Sequence, residues 1–386
     1  MYHVLEVETA NFNIGGTEQF IVKNIQHIDR NKFSMGFLCC GLIKDQKGFD
    51  SFQNSFDSAE ALNINYGILK PWKIFTQLRK HLKNHPCDII HIHNGFVANL
   101  AVCAVAAKLA GVRHIICHLH GTDLAKDSNK LKSIIKTMRK RFNIHLLGSC
   151  ATDFFTCSKK AAELTFGENF LKKHSVLFFP NAIDVNSFLF NPAERNEIRR
   201  QHHLTNQFVI GTVGRLSQEK NQLFLLDIFC KILEKRDDAV MMLVGDGPSK
   251  SNIQDRIRQL HLEDKVILTG AVSNVDAYLQ AFDVFVLPSF TEAYPIVMVE
   301  SQAAGLPTFV SDVITKETAI TDLVQFVSLN EPAQVWCDAI LSDPEQLSPN
   351  SRRKEFTQDA FDIQKNGKNL ENHYLTILDN RKPLYN

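Results

Sequence analysis

Short, apolar, β-rich runs alternate with longer helical patterns along almost the whole chain, and this alternation limits the fold more than any other feature. In the first half the strand patterns fall at Val4–Val7, Phe33–Cys40, Asp88–His93, His114–His120, Asp153–Cys157 and Val176–Pro180. Helical patterns lie between them at Glu18–Ile28, Trp72–Leu82, Val97–Ala110, Asn129–Arg141 and Lys159–Phe166. The series then starts afresh. Strand patterns at Phe208–Val213, Val240–Val244, Val266–Leu268, Val284–Leu287, Thr308–Val310 and Phe326–Leu329 alternate with helical ones at Asn221–Lys235, Ser249–Leu260, Asn274–Phe282, Ile296–Ala304 and Ala333–Leu341. Nearly all-apolar strands separated by helices specify a parallel sheet covered on both faces. Two such sheets in series are therefore predicted, joined by the polar stretch Asp184–Gln207 with its Pro192. The tail from Arg352 to Leu378 is helical in pattern, has no strand to follow it, and is expected to pack back on the first sheet.

The 386 residues are enough for two or three domains with full cores. A formal net charge of +1 gives no whole-molecule argument for nucleic acid, and no nucleic-acid partner is expected. Glu6 and Glu8 interrupt the apolar run at the start, and no basic leader precedes it, which argues against a signal peptide. The most apolar long stretch, Phe96 to Gly111, holds Asn99 and Lys108 and is too short to span a bilayer. Nine cysteines are scattered without a CxxC pair or zinc spacing. Cys39, Cys103, Cys117 and Cys157 sit in apolar runs as small core residues, and the reducing cytoplasm is the expected compartment.

In open parallel sheets ligands bind beyond the carboxyl ends of the strands, so the residues just after each strand are the candidates. The first strand is followed by Asn13-Ile14-Gly15-Gly16-Thr17-Glu18, where two glycines let a ligand approach the backbone before a helix. This is not the spaced GxGxxG of nicotinamide enzymes, which makes an oxidoreductase the weaker reading. His120-Gly121 ends the run at His114, with His91, His93, His114 and His118 nearby; a histidine there can accept a proton or donate a hydrogen bond near neutral pH. In the second half, Gly214-Arg215-Leu216-Ser217-Gln218-Glu219-Lys220-Asn221 offers a guanidinium fork and a mobile ammonium, a pair suited to a diphosphate. Gly245-Asp246-Gly247 fits a tight turn with close backbone approach. The sharpest feature is Pro288-Ser289-Phe290-Thr291-Glu292-Ala293-Tyr294-Pro295-Ile296 running on to Glu300. It places Glu292 in a loop, Pro295 in a first helical turn, Glu300 on that helix, and unpaired N–H groups around Ile296 to Met298.

In their order and their placement at strand ends, these residues together resemble glycosyltransferase family 4, of the GT-B fold, over nearly the whole chain. The resemblance rests on Gly15-Gly16, His120-Gly121, Pro180-Asn181-Ala182-Ile183-Asp184, Gly214-Arg215-Leu216 with Lys220-Asn221, Gly245-Asp246-Gly247, and Glu292 followed eight residues later by Glu300. It implies an α/β protein with two Rossmann-like parallel-sheet domains facing a central cleft. Residues 1–185 would form the acceptor domain, 186–350 the sugar-nucleotide domain, and 351–386 would be helices crossing back. It further implies that Arg215 and Lys220 bind and stabilise the leaving diphosphate, that Glu300 takes the ribose hydroxyls, that Glu292 orients the donor sugar, and that His120 lines the reaction centre. Gly15, Gly16, Gly214, Gly245, Ala293, Tyr294, Pro295 and Ile296 complete the donor-binding set. The family's reaction retains anomeric configuration, the leaving phosphate oxygen taking the acceptor proton. With no Asp-x-Asp motif in the chain, neither metal nor cofactor is expected; the nucleotide sugar, a UDP-sugar, is a substrate. His91-Ile92-His93-Asn94-Gly95 is similar to members that build capsule or exopolysaccharide. The chain departs from many relatives at Ala293, where they have glycine, and at Ser311-Asp312-Val313, which continues as Ile314-Thr315-Lys316.

One basic segment bears on the acceptor. Lys126 to Arg141 carries seven basic residues against Asp127, with Leu131, Ile134, Ile135 and Met138 at helical spacing. A basic amphipathic helix reads as a membrane-surface element, suited to a polyprenyl-linked saccharide acceptor and to peripheral attachment at an anionic inner leaflet. The alternative is a solvated helix with a core-facing stripe. For the chain as a whole two rivals stand beside transfer: an epimerase or hydrolase of the same fold, and a non-catalytic sugar-nucleotide-binding subunit.

Overall fold

The computed structural model describes residues 1–13, 15–65, 67, 70–121, 130–292, 294–343, 356 and 361–379, with 130–133 described in backbone alone. The chain forms two compact units. Unit 1 comprises Met1–Ala182 with Asp359–Asn386, and unit 2 comprises Ile183–Gln358.

Unit 1 builds one parallel sheet from β1 (Tyr2–Glu8), β2 (Phe33–Cys39), β3 (Ser58–Ala61), β4 (Ile89–Asn94), β5 (His114–Leu119), β6 (Asp153–Thr156) and β7 (Val176–Phe178), in the order β3-β2-β1-β4-β5-β6-β7. Its helices are α1 (Gly16–Ile25), α2 (Gln46–Gln53), α3 (Lys70–Asn84), α4 (Val97–Ala110), α5 (Lys130–Cys150), α6 (Lys159–Phe166) and α7 (Glu168–Leu171). Unit 2 begins with α8 (Val185–Phe188) and α9 (Pro192–Gln201). Its six parallel strands are β8 (Phe208–Val213), β9 (Ala239–Val244), β10 (Val266–Gly270), β11 (Val284–Leu287), β12 (Thr308–Ser311) and β13 (Val324–Val327), ordered β10-β9-β8-β11-β12-β13. Helices α10 (Gln222–Leu233), α11 (Lys250–Gln259), α12 (Val275–Ala281), α13 (Ile296–Ala303) and α14 (Ala333–Ile340) connect them. The last helix, α15 (Ile363–Leu378), belongs to unit 1, where it packs on α1.

Successive strand residues point to opposite faces, which sorts the core of unit 1 into two layers. Leu5 and Val7 of β1, Ile90 and Ile92 of β4, and Cys117 and Leu119 of β5 meet α3, α4, α5 and α6 on one face. Val4, Ile89 and Ile116 meet α1, α2 and α15 on the other. Residues two apart share a face, so Glu6 and Glu8 of β1, His91 and His93 of β4, and His118 of β5 also point toward α1 and α15. All five are essentially inaccessible to solvent.

The polar stretch expected to be a junction is instead part of unit 2. Asn191 caps α9, accepting from the amides of Ala193 and Glu194, and Pro192 sets its first turn. From this helix Arg195 and Arg199 reach inward to Asp283, at 2.5 and 2.7 Å, and both are nearly fully buried. Asp283 also accepts from the amide of Val209 at 2.7 Å, so one carboxylate ties α9 to the starts of β8 and β11. Three further differences concern element bounds. Helix α5 continues to Cys150 rather than ending at Arg141, β13 lies two residues earlier than its apolar pattern, and α2 and β3 fill the interval after β2. The expected helical tail before Ile363 falls mostly outside the described residues.

Candidate functional site

Both sheets reverse their strand order once, between β1 and β4 in unit 1 and between β8 and β11 in unit 2. A crevice opens beyond the carboxyl ends of the strands at such a reversal. In unit 2 it is flanked by the loops after β8 and β11, which are tied directly: the Phe290 amide donates to the Glu219 carbonyl at 2.8 Å. Across that join Lys220 Nζ meets Glu292 Oε1 at 2.5 Å, and the Ser289 hydroxyl donates to the same oxygen at 2.8 Å. Ser289 is fully buried, and its carbonyl accepts from the Ser311 hydroxyl at 2.6 Å, which fixes the loop against β12. Arg215 is exposed and makes no ion pair among the described residues, while its carbonyl is held by the Gln222 side chain at 3.0 Å. Glu219 lies below the usual carboxylate range, held there first by its own backbone amide, then by Ser217 and the positive charges of Arg215 and Lys220. The loop thus presents one exposed and one half-buried cation, the second already partnered by a carboxylate.

The turn Gly245-Asp246-Gly247 supports this loop rather than opening to a ligand. Gly245 has φ +136°, and a Cβ there would lie 2.0 Å from the Gly214 carbonyl oxygen. A Cβ on Gly247 would lie 2.3 Å from the Leu216 carbonyl oxygen. Leu216 donates its amide to Asp246 and accepts from the Ser249 amide, so the two loops are laced backbone to backbone. After β11, Pro295 caps α13 instead of standing inside its first turn, and the Met298 amide donates to the Pro295 carbonyl at 3.0 Å. That leaves the amides at Ile296 and Val297, not Met298, at the open end of the helix. Tyr294 is buried, Glu300 is half-buried on α13, and Ala293 lies outside the described residues.

In unit 1 the Gly15 amide donates to Glu18 Oε2 at 3.1 Å, whereas Gly16 has no atom within 4 Å of where a Cβ would stand. Of the two glycines, only Gly16 thus has open space around it. His120 follows β5, is itself half-buried, and ends a ladder of buried polar groups. His93 Nδ1 lies 2.9 Å from His120 Nε2, and His93 Nε2 lies 2.6 Å from Glu6 Oε2. Glu6 Oε1 accepts from the Tyr374 hydroxyl at 3.0 Å, and that hydroxyl lies 2.7 Å from His91 Nδ1. Phe20 of α1 packs edge-on against the rings of His118 and His120. Burial pushes the carboxyls of Glu6 and Glu8 up to about 8, and pushes His93 down to about 3. The imidazoles of His91, His118 and His120 are likewise well below the ordinary value, first through desolvation and then through neighbouring imidazoles, His93 among them in each case. Glu6, His93 and Tyr374 were not singled out as site residues by the sequence, although the signal was there: acids and histidines two apart on three strands occupy one face.

Among the described residues, two side-chain groups bring metal-ligand atoms together. Those of His91, His93 and His118 lie within 4.8 Å of one another. Both nitrogens of His93 are already bonded, however, and the rings of His91 and His118 are stacked at 9°, so their lone pairs run parallel instead of converging. Glu60, His81 and His85 form the second group, at the β3 edge. Among the described residues no helix is long and apolar enough to cross a membrane.

Comparison with known proteins agrees with this architecture. Residues 14–187 match the profile described as Glycosyltransferase Family 4, and residues 194–342 match Glycosyl transferases group 1. EpsF of Bacillus subtilis (strain 168), a protein named as a glycosyltransferase, is 29% identical over 377 residues, covering 96% of this chain and 95% of its own. The Escherichia coli UDP-Gal:alpha-D-GlcNAc-diphosphoundecaprenol alpha-1,3-galactosyltransferase is 26% identical over 387 residues, covering 95% of each chain. Among solved structures, Anabaena Alr3699/HepE in complex with UDP superposes with a TM-score of 0.76 at 17% identity, covering 97% of this chain and 100% of that one. The same protein in complex with UDP-glucose gives a TM-score of 0.75 at 17% identity, with the same coverage.

Proposed function

Because the chain belongs to the glycosyltransferases of family 4 and has their two-sheet GT-B fold, we propose that it moves a sugar from a UDP-sugar to a lipid-linked saccharide, with retention of configuration, in the building of a capsule or exopolysaccharide. The observation that carries this reading is the Lys220–Glu292 pair beside the exposed Arg215, at the strand-order reversal of unit 2. A diphosphate leaving group develops negative charge as the glycosidic bond breaks. Lys220, half-buried and held by Glu292, and the exposed Arg215 beside it stabilise that charge more than the ground state. Glu292, anchored by Lys220 and Ser289, is oriented to accept from hydroxyls of the donor sugar, and Glu300 takes the paired hydroxyls of the ribose. Gly214, Tyr294, Pro295 and Ile296 line the donor, and the amides at the start of α13 suit its anionic or sugar oxygens. On the same face of the sugar, a leaving phosphate oxygen takes the acceptor's proton, so no protein nucleophile is required. In unit 1, Gly16 and His120 stand beyond the carboxyl ends of β1 and β5, where an acceptor would bind, with Gly15 shaping the turn. The arrangement calls for no cofactor and no metal, since Arg215 and Lys220 supply the positive charge.

The name of the E. coli relative specifies UDP-galactose and a diphosphoundecaprenol-linked acceptor, and the Anabaena neighbour holds UDP or UDP-glucose. These support a UDP donor and a lipid-linked acceptor here. Helix α5 supports the second independently. Ile134, Ile135, Met138 and Phe142 are each more than half exposed, rather than forming a core-facing stripe, and they stand among Lys136, Arg139, Lys140 and Arg141. A face of that composition suits peripheral attachment to an anionic inner leaflet.

The test is binding and turnover against a panel of UDP- and GDP-sugars with EDTA present, followed by product analysis with lipid-linked acceptors. Saturable binding of one UDP-sugar is expected, weakened in Glu300→Ala. Arg215→Ala or Lys220→Ala should lower kcat by about 10²–10³-fold. Failure to bind any nucleotide sugar would overturn the reading. Conversion of the donor without transfer to any acceptor would replace it with an epimerase or hydrolase.

A further inference from the structure

A hydrogen-bonded chain runs through the core of unit 1 from the last helix to the carboxyl end of β5: Tyr374, Glu6, His93, His120. Each contact has room for one proton, and the directions of the two bonds made by His93 are coupled. With Glu6 ionised, the proton in the 2.6 Å contact resides on His93 Nε2. A neutral His93 then has a bare Nδ1, so the proton in the 2.9 Å contact resides on His120 Nε2. A neutral His120 is then left with a lone pair at Nδ1. With Glu6 protonated on Oε2 the two bonds made by His93 reverse while Tyr374 still donates to Oε1: the carboxyl donates to His93 Nε2, His93 Nδ1–H donates to His120 Nε2, and His120 carries its proton on Nδ1.

We propose that Glu6 and His93 are positioning residues for His120, and that the protonation state of Glu6 sets whether the Nδ1 edge of His120 accepts or donates a hydrogen bond at a hydroxyl of the bound sugar. This inference rests on the glycosyltransferase reading for its ligand but not for its switch.

Three further observations fit it. His120 Nδ1 is buried and has no hydrogen-bond partner among the described residues, so the chain ends on an unused polar atom at the strand end where ligands gather. The Tyr374 hydroxyl holds Glu6 Oε1 at 3.0 Å, so Oε2 is the oxygen that faces His93. Burial keeps His93 and His120 neutral and raises the Glu6 transition to about 8, so the two tautomeric states exchange across a working pH range. The titratable groups around Glu6 are His91 and His93 from β4, Tyr374 from α15, Glu8 next on the same face of β1, and His118 and His120 from β5. The β2 residue at its register is Phe37, and α1 contributes Phe20 and, near Glu8, Glu18. Glu8, also with a transition at about 8, has its Oε1 held by the Ala10 amide at 2.8 Å.

The test uses the full chain with ¹⁵N-labelled histidine and no substrate. Two-bond proton–nitrogen spectra read the tautomer of each imidazole directly, and His120→Gln assigns the signal. The expected result is Nδ1–H on His120 at pH 6.5, Nε2–H at pH 9.5, and a midpoint at about 8. Glu6→Gln, with no proton to lose, abolishes the change. Tyr374→Phe removes a bond that favours the ionised carboxyl and moves the midpoint upward. A tautomer constant over the range overturns the proposal, as does a change that persists in Glu6→Gln. Should Glu6→Gln fail to fold, an unshifted midpoint in Tyr374→Phe overturns it as well. Kinetics separate this from the function itself. With the sugar-transfer assay in hand, the pH profile of kcat has a limb at about 8 that is absent in Glu6→Gln. A working switch in a protein that turns over no nucleotide sugar sinks only the functional reading, and a fixed tautomer in an active transferase sinks only the switch.

Discussion

Replacing Asp283 with alanine tests how unit 2 is held in register. The carboxylate accepts from Arg195 at 2.5 Å, from Arg199 at 2.7 Å and from the Val209 amide at 2.7 Å, and Asp283 and both arginines are buried. Deleting it leaves two buried guanidiniums short of their counter-charge and orphans one amide. Breaking a buried pair from one side costs about 3–5 kcal/mol. Here the lower end is expected, because Arg195 keeps the carbonyls of Gln280, Ala281 and Phe282, and Arg199 keeps those of Ala281, Thr205 and Gln207. A domain has about 5–15 kcal/mol in hand, so the variant folds but with much of its margin gone. With a urea dependence of about 1–3 kcal/mol per molar, the midpoint should fall by about 1–3 M. Trp336 is fully buried in unit 2, and the other tryptophan, Trp72, is exposed in unit 1. A wavelength shift of the buried indole therefore follows unit 2. A midpoint loss equivalent to less than about 1 kcal/mol would refute the reasoning, since it would mean that backbone carbonyls alone satisfy both guanidiniums.

Two other outcomes are expected. Glu6 and Glu8 have folded values raised from 4.5 to about 8, so they bind more protons in the native state than in the unfolded one, and their contribution is lost as pH rises through that window. His91, His93, His118 and His120 are depressed below 6.5 and act in the opposite sense, losing stability as pH falls below that value. Four histidines outweigh two carboxyls on the acid side, so thermal unfolding should show a maximum near pH 6.5, with a shallower alkaline limb in Glu6→Gln; stability rising steadily from pH 6.5 to 8 would contradict this. Flotation with liposomes should retain the protein on anionic but not neutral lipid, and Ile135→Ser with Met138→Ser should release it; equal behaviour with both lipids would remove α5 as the attachment face.

Strands β8 and β11 were legible to the residue because a fully buried parallel strand is a short, mostly apolar run, interrupted in β8 only by Gly211 and Thr212. The same rule explains what was missed. Strand β3, Ser-Ala-Glu-Ala, is half-exposed at the sheet edge and has no apolar run to read. Segment 192–201 looked like a linker because its burial is carried by two arginines, and a charged residue that is buried only through its partner 84 or 88 residues away leaves no local pattern. The loop residues fared in the same way. Arg215, Lys220 and Glu292 could be placed after strands, but the contact between Lys220 and Glu292 depends on β8 and β11 being neighbours, which is a fact of topology. Gly245 was legible as a turn, though not as the close neighbour of Gly214, because its steric need comes from a second loop.

That neighbourhood has a consequence for how such a protein can diversify. At Gly214, Gly245 and Gly247 the shape of the cation-bearing loop is written in main-chain atoms, and a side chain at Gly245 or Gly247 would occupy the space of another residue's carbonyl oxygen. The part of unit 2 that holds Arg215 and Lys220 is therefore closed to gradual substitution. The loop after β11 is held differently, by side chains: Lys220 and Ser289 on Glu292, and the Ser311 hydroxyl on the Ser289 carbonyl. Substitution in that second loop exchanges one hydrogen-bonding side chain for another, whereas substitution at Gly245 or Gly247 has to displace main chain.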